Sequence, residues 1–455
     1  MKKNKVFIYS VLTCNRRKID AWKIKQYFIK NNFIIVENPN YADIIFIITC
    51  AYSNKHSEES LKNVKKFIDY KAELIISGCL PDIDKEKLKE IFNGKIIPIN
   101  NLNQIDKFFP QNKIKLNELT DANFPLENIN QPILIMNLKK IFTKSNSIRR
   151  LYNSISESIL KNMINEKSCC HKFMINYSNF KHFKELFQPN LSIYKNSFFI
   201  RPSWGCLGNC SYCVIKKAIG PLKSKPLKDI IFEFNKGLNQ GYKNFIFDAD
   251  DLGAYGIDIG INFTEMLDKI TDISGDYSIH LRYVHPVWIV KYNNSFDKII
   301  KKGKIISIGS AIQSGNPRIL SLMHRFSDID KIKKSFSIIK NANPGIYLST
   351  ECINGFPTET FEEFNDTLTA IKEINFDWGF IFPFSSRPKS EAENINPKVS
   401  DKKITIRMKY AFQYLKKIDY NCGFFKNHNI LVFSKTNSVL KLNKETRAFC
   451  FSTIE

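Results

Sequence analysis

The chain has 455 residues, 43% of them hydrophobic, which is enough for roughly two to three packed domains. It carries 68 Lys and Arg against 44 Asp and Glu, a net charge of +24. That balance raises the prior for an anionic partner such as nucleic acid, although lysine spread along a chain also describes a merely solvated surface. No apolar run reaches the roughly 18 residues of a membrane span, and Met1 leads into strand-like sequence rather than a signal-type apolar stretch. The eleven cysteines are therefore expected as free thiols in a reducing cytoplasm rather than as a secreted disulfide framework.

In chain order, residues 5–11, 43–49 and 73–77 are apolar runs of strand length, and residues 19–30 and about 58–70 have helical spacing. Runs without polar alternation indicate strands buried on both faces, so the first hundred residues are expected to form a small open α/β sheet. Cys14, Cys50 and Cys79 each lie just after one of the three strands. Ligands of open parallel sheets bind outside the carboxyl ends of strands, so three thiols distant in sequence gather at one edge. This favours a metal-cluster site over three small buried hydrophobes, the alternative reading of cysteine.

Residues 101–195 lack this strand–helix alternation. Within them, 147–165 has helical apolar spacing, and 136–144 and 181–187 mix Lys with Phe, as an RNA-contacting or packed helical arm does. Cys169-Cys170-His171 has no matching ligand pair and reads as incidental.

The most specific motif is Cys206-x-x-x-Cys210-x-x-Cys213, within Arg201-Pro-Ser-Trp-Gly-Cys-Leu-Gly-Asn-Cys-Ser-Tyr-Cys213. Three thiolates on one short loop can hold three irons of a four-iron cluster and leave the fourth open. Zinc prefers four closed ligands, usually in two pairs, and no second Cys-x-x-Cys pair occurs. Beyond the motif, strand-like runs at 198–203, 244–248, 278–284, 305–310, 347–353 and 378–384 alternate with helical stretches such as 227–239 and 361–374. Six such repeats predict parallel strands with crossover helices, closed partly or fully into a barrel, with functional groups at the carboxyl ends of strands.

The Cys206–Cys213 segment resembles the radical S-adenosylmethionine enzymes. Thr49-Cys50, Ser77-Gly-Cys-Leu-Pro81, and Cys14 with Asp20 six residues on resemble the N-terminal domain of the methylthiotransferases. Asp-Asp-Leu-Gly-Ala-Tyr-Gly-Ile-Asp-Ile-Gly260, Gln-Ser-Gly315 and Cys-Ile-Asn-Gly-Phe-Pro-Thr-Glu-Thr360 are similar to the archaeal and eukaryotic branch that acts on threonylcarbamoyladenosine in tRNA. Two departures are Arg17 and Ile48, where the family usually has Asn.

The resemblance implies an N-terminal α/β domain (1–100), an atypical insert (101–195), a partial (β/α)6 barrel (196–395) and a short atypical tail (396–455). It implies two [4Fe-4S] clusters, one on Cys206, Cys210 and Cys213 and an auxiliary one on Cys14, Cys50 and Cys79. It implies S-adenosylmethionine as cofactor. The acidic group Asp248, Asp250 and Asp251 would meet its amino group, Arg282 its carboxylate, Gln313 and Ser314 its ribose, and the backbone at Gly355 its adenine. The implied reaction is methylthio insertion at an unactivated C–H carbon of a modified adenosine in tRNA, with electrons from a donor such as flavodoxin or ferredoxin.

The tail departs from the family's small RNA-binding β-barrel. After a helical stretch at 402–417, only a hairpin of 430–433 with 438–442 is expected, together with the unassigned Cys422 and Cys450. This departure and the insert keep a protein or peptide acceptor as the alternative. A non-catalytic binding protein is disfavoured, because it would be expected to lose ligands and all six cysteines are present.

Overall fold

The computed structural model describes residues 4–11, 14–121, 197–425 and 429–435. The sequence-level readings at 136–144, 147–165, 169–171, 181–187 and 438–442, and at Cys450, lie outside these residues.

The first sheet consists of β1 (Lys5–Ser10), β2 (Ile34–Ile35), β3 (Ile44–Thr49), β4 (Glu73–Gly78) and β5 (Lys95–Pro98), all parallel, in the order β2-β1-β3-β4-β5. Its centre, β3, is Ile-Ile-Phe-Ile-Ile-Thr and is buried throughout. Successive side chains of a strand point to opposite faces. Ile45 and Ile47 accordingly join Ile76, Val64 and Phe67 on one side. Ile44, Phe46 and Ile48 join Ile75, Ile24, Tyr27 and Phe28 on the other. Helix Asn54–Ile68 covers the first face and helix Asn15–Lys30 the second. Ile105, Phe109, Leu116 and Leu119 complete the second face, and the Asn31 amide exchanges two hydrogen bonds with the backbone of Ile114 at 2.9 and 3.0 Å. The packing of this sheet thus continues past residue 100, to the end of the described stretch.

The second sheet holds β6 (Ser197–Ile200), β9 (Asn244–Asp248), β10 (Ser278–Arg282), β11 (Ile305–Gly309), β12 (Tyr347–Asn354) and β13 (Trp378–Pro383). These six strands are parallel and run in sequence order, as the alternation of strand and helix predicts. A two-stranded ribbon, β7 (Ser203–Trp204) with β8 (Lys223–Ser224), brackets the Cys206–Cys213 loop. Phe247, Leu281, Ile308, Leu348 and Ile381 form the core with helices such as Leu227–Asn239 and Phe361–Ile374, the latter started by a Thr360/Glu363 capping box.

The far edge corrects the expected hairpin. Strand β15 (Ile430–Lys435) pairs antiparallel with β13 on one side and with β14 (Tyr420–Phe425) on the other. Its partner is the segment before it, because Leu431 and Phe433 enter the barrel core beside Tyr420. The Tyr420 hydroxyl donates to Phe376 O at 2.6 Å. Cys352 is a buried core residue, and Cys422 is a half-buried thiol donating to Tyr420 O at 3.7 Å.

Candidate functional site

Cys14, Cys50 and Cys79 stand at the carboxyl ends of β1, β3 and β4, three adjacent strands. Cys14 occupies the N-cap of helix Asn15–Lys30. The N–H of Cys50 donates to Ser60 Oγ at 3.0 Å, and that hydroxyl donates back to Cys50 O at 2.7 Å, so helix Asn54–Ile68 holds this turn. Cys79 is brought beside the β3 turn by Gly78, at φ 104°, where a Cβ would lie 2.2 Å from Thr49 O. Only glycine permits that approach.

Burial pushes the Cys50 thiol up to about 12, with the nearby Cys14 adding to the shift, and pushes Cys79 further, with Cys50 and Cys14 adding to it. Arg17, at the departure from the family's Asn, is buried and pairs with Asp20 at 3.1 Å. Burial opposes its charge, but Asp20, and after it Cys79, keep it protonated well above the ordinary value.

Cys206, Cys210 and Cys213 lie on a pinned loop. Ser211 N–H donates to Met323 O and its hydroxyl to Leu322 O, at 3.2 and 2.7 Å, and Lys216 Nζ donates to Gly208 O at 2.8 Å. Gly208 N–H donates to Cys206 Sγ at 3.2 Å. A Cβ at Gly208 would stand 3.2 Å from Cys206 Sγ and 3.7 Å from Cys210 Sγ, so the glycine leaves the space between the sulfurs open. Arg325 reaches Cys210 Sγ at 3.7 Å while its other arm donates to Ala311 O at 2.7 Å.

Asp251 meets the same loop. It accepts from Cys206 Sγ at 3.7 Å and from Trp288 Nε1 at 2.7 Å, and lies 3.6 Å from His285 Nδ1. Burial pushes its carboxyl up to about 6 and holds His285 well below its ordinary value. Ligand atoms of Cys206, Asp251 and His285 all lie within 4.8 Å of one another.

Between the triplets is a charged junction. Arg16, two residues after Cys14, pairs with Asp248 and Asp250, both at 2.8 Å, and lies over the Tyr283 ring at 4.5 Å. Arg282, ending β10, pairs with Asp248 at 3.3 Å. The second carboxylate oxygens of Asp248 and Asp250 are buried and accept no hydrogen bond among the described residues. Tyr283 has φ 58°, a strained conformation of the kind that clusters at functional sites. Glu351 on β12 has its carboxyl raised by burial, with Arg282, Arg16 and Arg325 opposing.

Of the residues singled out in the sequence, the structure brings Asp248, Asp250 and Arg282 into this junction and Asp251 to Cys206. Gln313, at φ 67°, is held by a parallel bridge to Cys352. Ser314 is turned away: it is buried against Thr367 Oγ1 at 3.3 Å. Gly355, at φ 85°, has its open side filled by Ile404, 2.4 Å from where a Cβ would be. Sequence reasoning missed Arg16, His285, Trp288, Arg325 and Glu351. Their only sequence signal is position: Arg16 lies beside Cys14, His285 and Trp288 just beyond β10, and Glu351 on β12, while Arg325, past helix Pro317–Leu322, carries none.

Two family models match the chain: Uncharacterized protein family UPF0004 over residues 5–97 and the Radical SAM superfamily over residues 200–371. A probable threonylcarbamoyladenosine tRNA methylthiotransferase of Pyrococcus horikoshii is 25% identical over 82% of this chain and 76% of the relative. The tRNA-2-methylthio-N(6)-dimethylallyladenosine synthase of Thermodesulfovibrio yellowstonii is 27% identical over 88% and 80%. The ribosomal protein uS12 methylthiotransferase RimO of the same organism is 27% identical over 87% and 79%. Among solved structures, the radical S-adenosylmethionine methyltransferase TsrM from Kitasatospora setae, with cobalamin and a [4Fe-4S] cluster bound, shares the fold at a TM-score of 0.55. It is 9% identical, over 86% of this chain and 77% of that one.

Proposed function

The chain belongs to the radical S-adenosylmethionine methylthiotransferases, and we propose that it inserts a methylthio group at an unactivated C–H carbon of a modified adenosine in tRNA. The observation that carries this reading is the pair of cysteine triplets, each gathered at the carboxyl edge of its own parallel sheet. Such chemistry would need two centers, one held by Cys206, Cys210 and Cys213 to supply an electron and one held by Cys14, Cys50 and Cys79 to supply a place for sulfur.

The donor sets fit [4Fe-4S] clusters. Each triplet offers three free thiols, which leaves one iron of a bound cluster open. Gly208 keeps the space between Cys206 and Cys210 clear. Bound at Cys206, Cys210 and Cys213, a cluster supplies the electron that cleaves S-adenosylmethionine; bound at Cys14, Cys50 and Cys79, an auxiliary cluster supplies the site where sulfur is held. Around them the chain's own residues bind and orient. Asp250 carries a buried oxygen with no hydrogen bond among the described residues, suited to the cofactor's ammonium group, and Asp248 stands beside it, paired with Arg282. Arg282 suits its carboxylate, and Gln313 its ribose. Ser314 and Gly355 lend this cofactor less support, being occupied by Thr367 and Ile404. Electrons would come from a small donor such as flavodoxin or ferredoxin, in the cytoplasm; no described helix is long and apolar enough to cross a membrane.

The tRNA acceptor rests on relatives named for threonylcarbamoyladenosine tRNA and on the +24 charge. A protein acceptor is the second reading. It is favoured by the relative named for ribosomal protein uS12. Mass spectrometry of tRNA nucleosides and ribosomal proteins, from cells with and without the gene, separates the two. With tRNA as acceptor, affinity for total tRNA falls at least about tenfold between ~50 and ~200 mM salt, because neutralised phosphates release counterions. No binding at the lower salt, with a methylthio group missing from a protein instead, would move the assignment to the second reading.

A further inference from the structure

Residues 386–392 follow β13 and belong to neither sheet. One end of this segment is fastened to the first cysteine triplet. Arg387 is 3% exposed, and its Nη2 donates to Ala51 O, Ser57 Oγ and Asp84 Oδ2, each at 3.0 Å. Its Nη1 donates to Asn54 Oδ1, and Asn54 Nδ2 donates to Ser386 O at 3.1 Å. Ala51 is the residue after Cys50. Asp84 ends the short helix Leu80–Ile83 that Cys79 begins. A single guanidinium thus holds the backbone beside one cysteine and the helix leaving another.

The other end is fastened to the second triplet. Lys217 Nζ donates to Lys389 O at 2.7 Å, from the helix that follows Cys213. Ala392 N–H donates to Ser211 O at 2.8 Å, and Ser211 lies between Cys210 and Cys213. Ala392 is fully buried with Ile319, Met323 and Phe356, and Tyr212 packs against this group. The segment itself is stiffened: Lys389 has φ 65°, its N–H donates to Glu393 Oε2 at 2.7 Å, and Ser390 N–H donates to Arg387 O at 3.0 Å.

We infer that Arg387 is a positioning residue, and that through it the strap of residues 386–392 sets the separation between the two metal centers. The inference rests on the two-cluster reading above. A planar fork with five donors can serve a backbone carbonyl, a hydroxyl, an amide and a carboxylate at once, whereas a lysine ammonium is a point charge with three. Radical attack and sulfur transfer must converge on one carbon, and a displacement of about 1 Å in such an arrangement costs about 100-fold in rate.

The test uses the full chain reconstituted with iron and sulfide. Arg387→Met alone leaves Asp84 buried without its partner, which is destabilising, so it is paired with the double variant Arg387→Met/Asp84→Asn, which removes both charges. Four quantities are read: iron per chain, 5′-deoxyadenosine formed per chain and the dipolar interaction between the two reduced clusters by pulsed electron paramagnetic resonance, all without acceptor, and methylthio product with total tRNA as acceptor. The expected result is unchanged iron, continued 5′-deoxyadenosine formation, and a dipolar interaction that weakens or broadens. Methylthio product per 5′-deoxyadenosine should fall about 10- to 100-fold, with partial recovery of both signals in Arg387→Lys. An unchanged dipolar interaction in a double variant carrying both clusters overturns the positioning role while leaving the two-cluster reading intact. A wild-type chain that loads only one cluster overturns both.

Discussion

His280 shows what a single residue of the barrel interior imposes. It is 1% exposed on β10, hydrogen-bonded to Ser307 Oγ at 2.8 Å, and burial pushes its pKa down to about 3. The unfolded chain takes up the proton near 6.5, whereas the folded chain refuses it until about 3. The stability from neutral His280 is therefore fully present above 6.5 and is lost as pH falls from there toward 3. Urea unfolding of the cluster-free protein at pH 7 and pH 5 should show wild type losing about 2 kcal/mol more than His280→Asn. Equal losses would mean that His280 is not kept neutral by the fold. At this scale the cysteine triplets are legible in the sequence, because ligand spacing in one and strand ends in the other are local features. Arg16 and Arg387 are not, since their acidic partners lie 232 and 303 residues away. The departure at Arg17 is visible in the sequence, but its pairing with Asp20 beside Cys79 emerges only in the fold.

Between elements, the contact of β12 with helix Asp401–Lys417 turns on Gly355. It needs glycine twice, for its φ of 85° and for the 2.4 Å that a Cβ would leave to Ile404 Cγ1. Asn354 Nδ2 donates to Ile404 O at 3.0 Å, and Arg407 pairs with Glu359 at 3.0 Å, fixing the same helix against the same turn. Gly355→Ala should cost about 2 kcal/mol, from the left-handed backbone and from overpacking. Ile404→Ala relieves the second contribution, so the double variant should lose less than the sum of the singles; strict additivity in chemical denaturation would show that the two residues do not compete for space. The six parallel strands are readable in the sequence because each is a short apolar run closed by turn residues. Strand β14, Tyr-Asn-Cys-Gly-Phe-Phe, is not: its Asn and Gly disfavour a strand, and it becomes one by pairing with β15.

For the molecule as a whole, the two triplets stand on separate sheets and should be separable by mutation. Changing Cys206, Cys210 and Cys213 to Ala should remove about half of about eight irons per chain and all reductive cleavage of S-adenosylmethionine. Changing Cys14, Cys50 and Cys79 to Ala should also remove about half the iron, but should spare that cleavage while abolishing sulfur transfer. Iron content that does not change in the second variant would rule out an N-terminal cluster. The junction that unites the sheets is ionic as well as apolar. Arg201, on the segment after β6, pairs with Asp20 at 2.6 Å and with Asp121 at 3.0 Å. Asp121 is also met by Lys225 at 3.2 Å, and despite burial these cations hold its carboxyl well below the usual range.

The pairing of β15 with β13 gives the molecule an order in time. The first sheet is complete once residue 98 has been made, so its cysteine edge can form while most of the chain is still unsynthesised. The loop of Cys206, Cys210 and Cys213 is made next, yet the sheet beneath it gains its last neighbour only with residues 420–435. Until then β13 is an open edge, able to pair with a strand of another nascent chain. A growing chain thus passes through a stage in which the strands of the first sheet are all made while the edge of the second is still exposed, and β15 ends this stage.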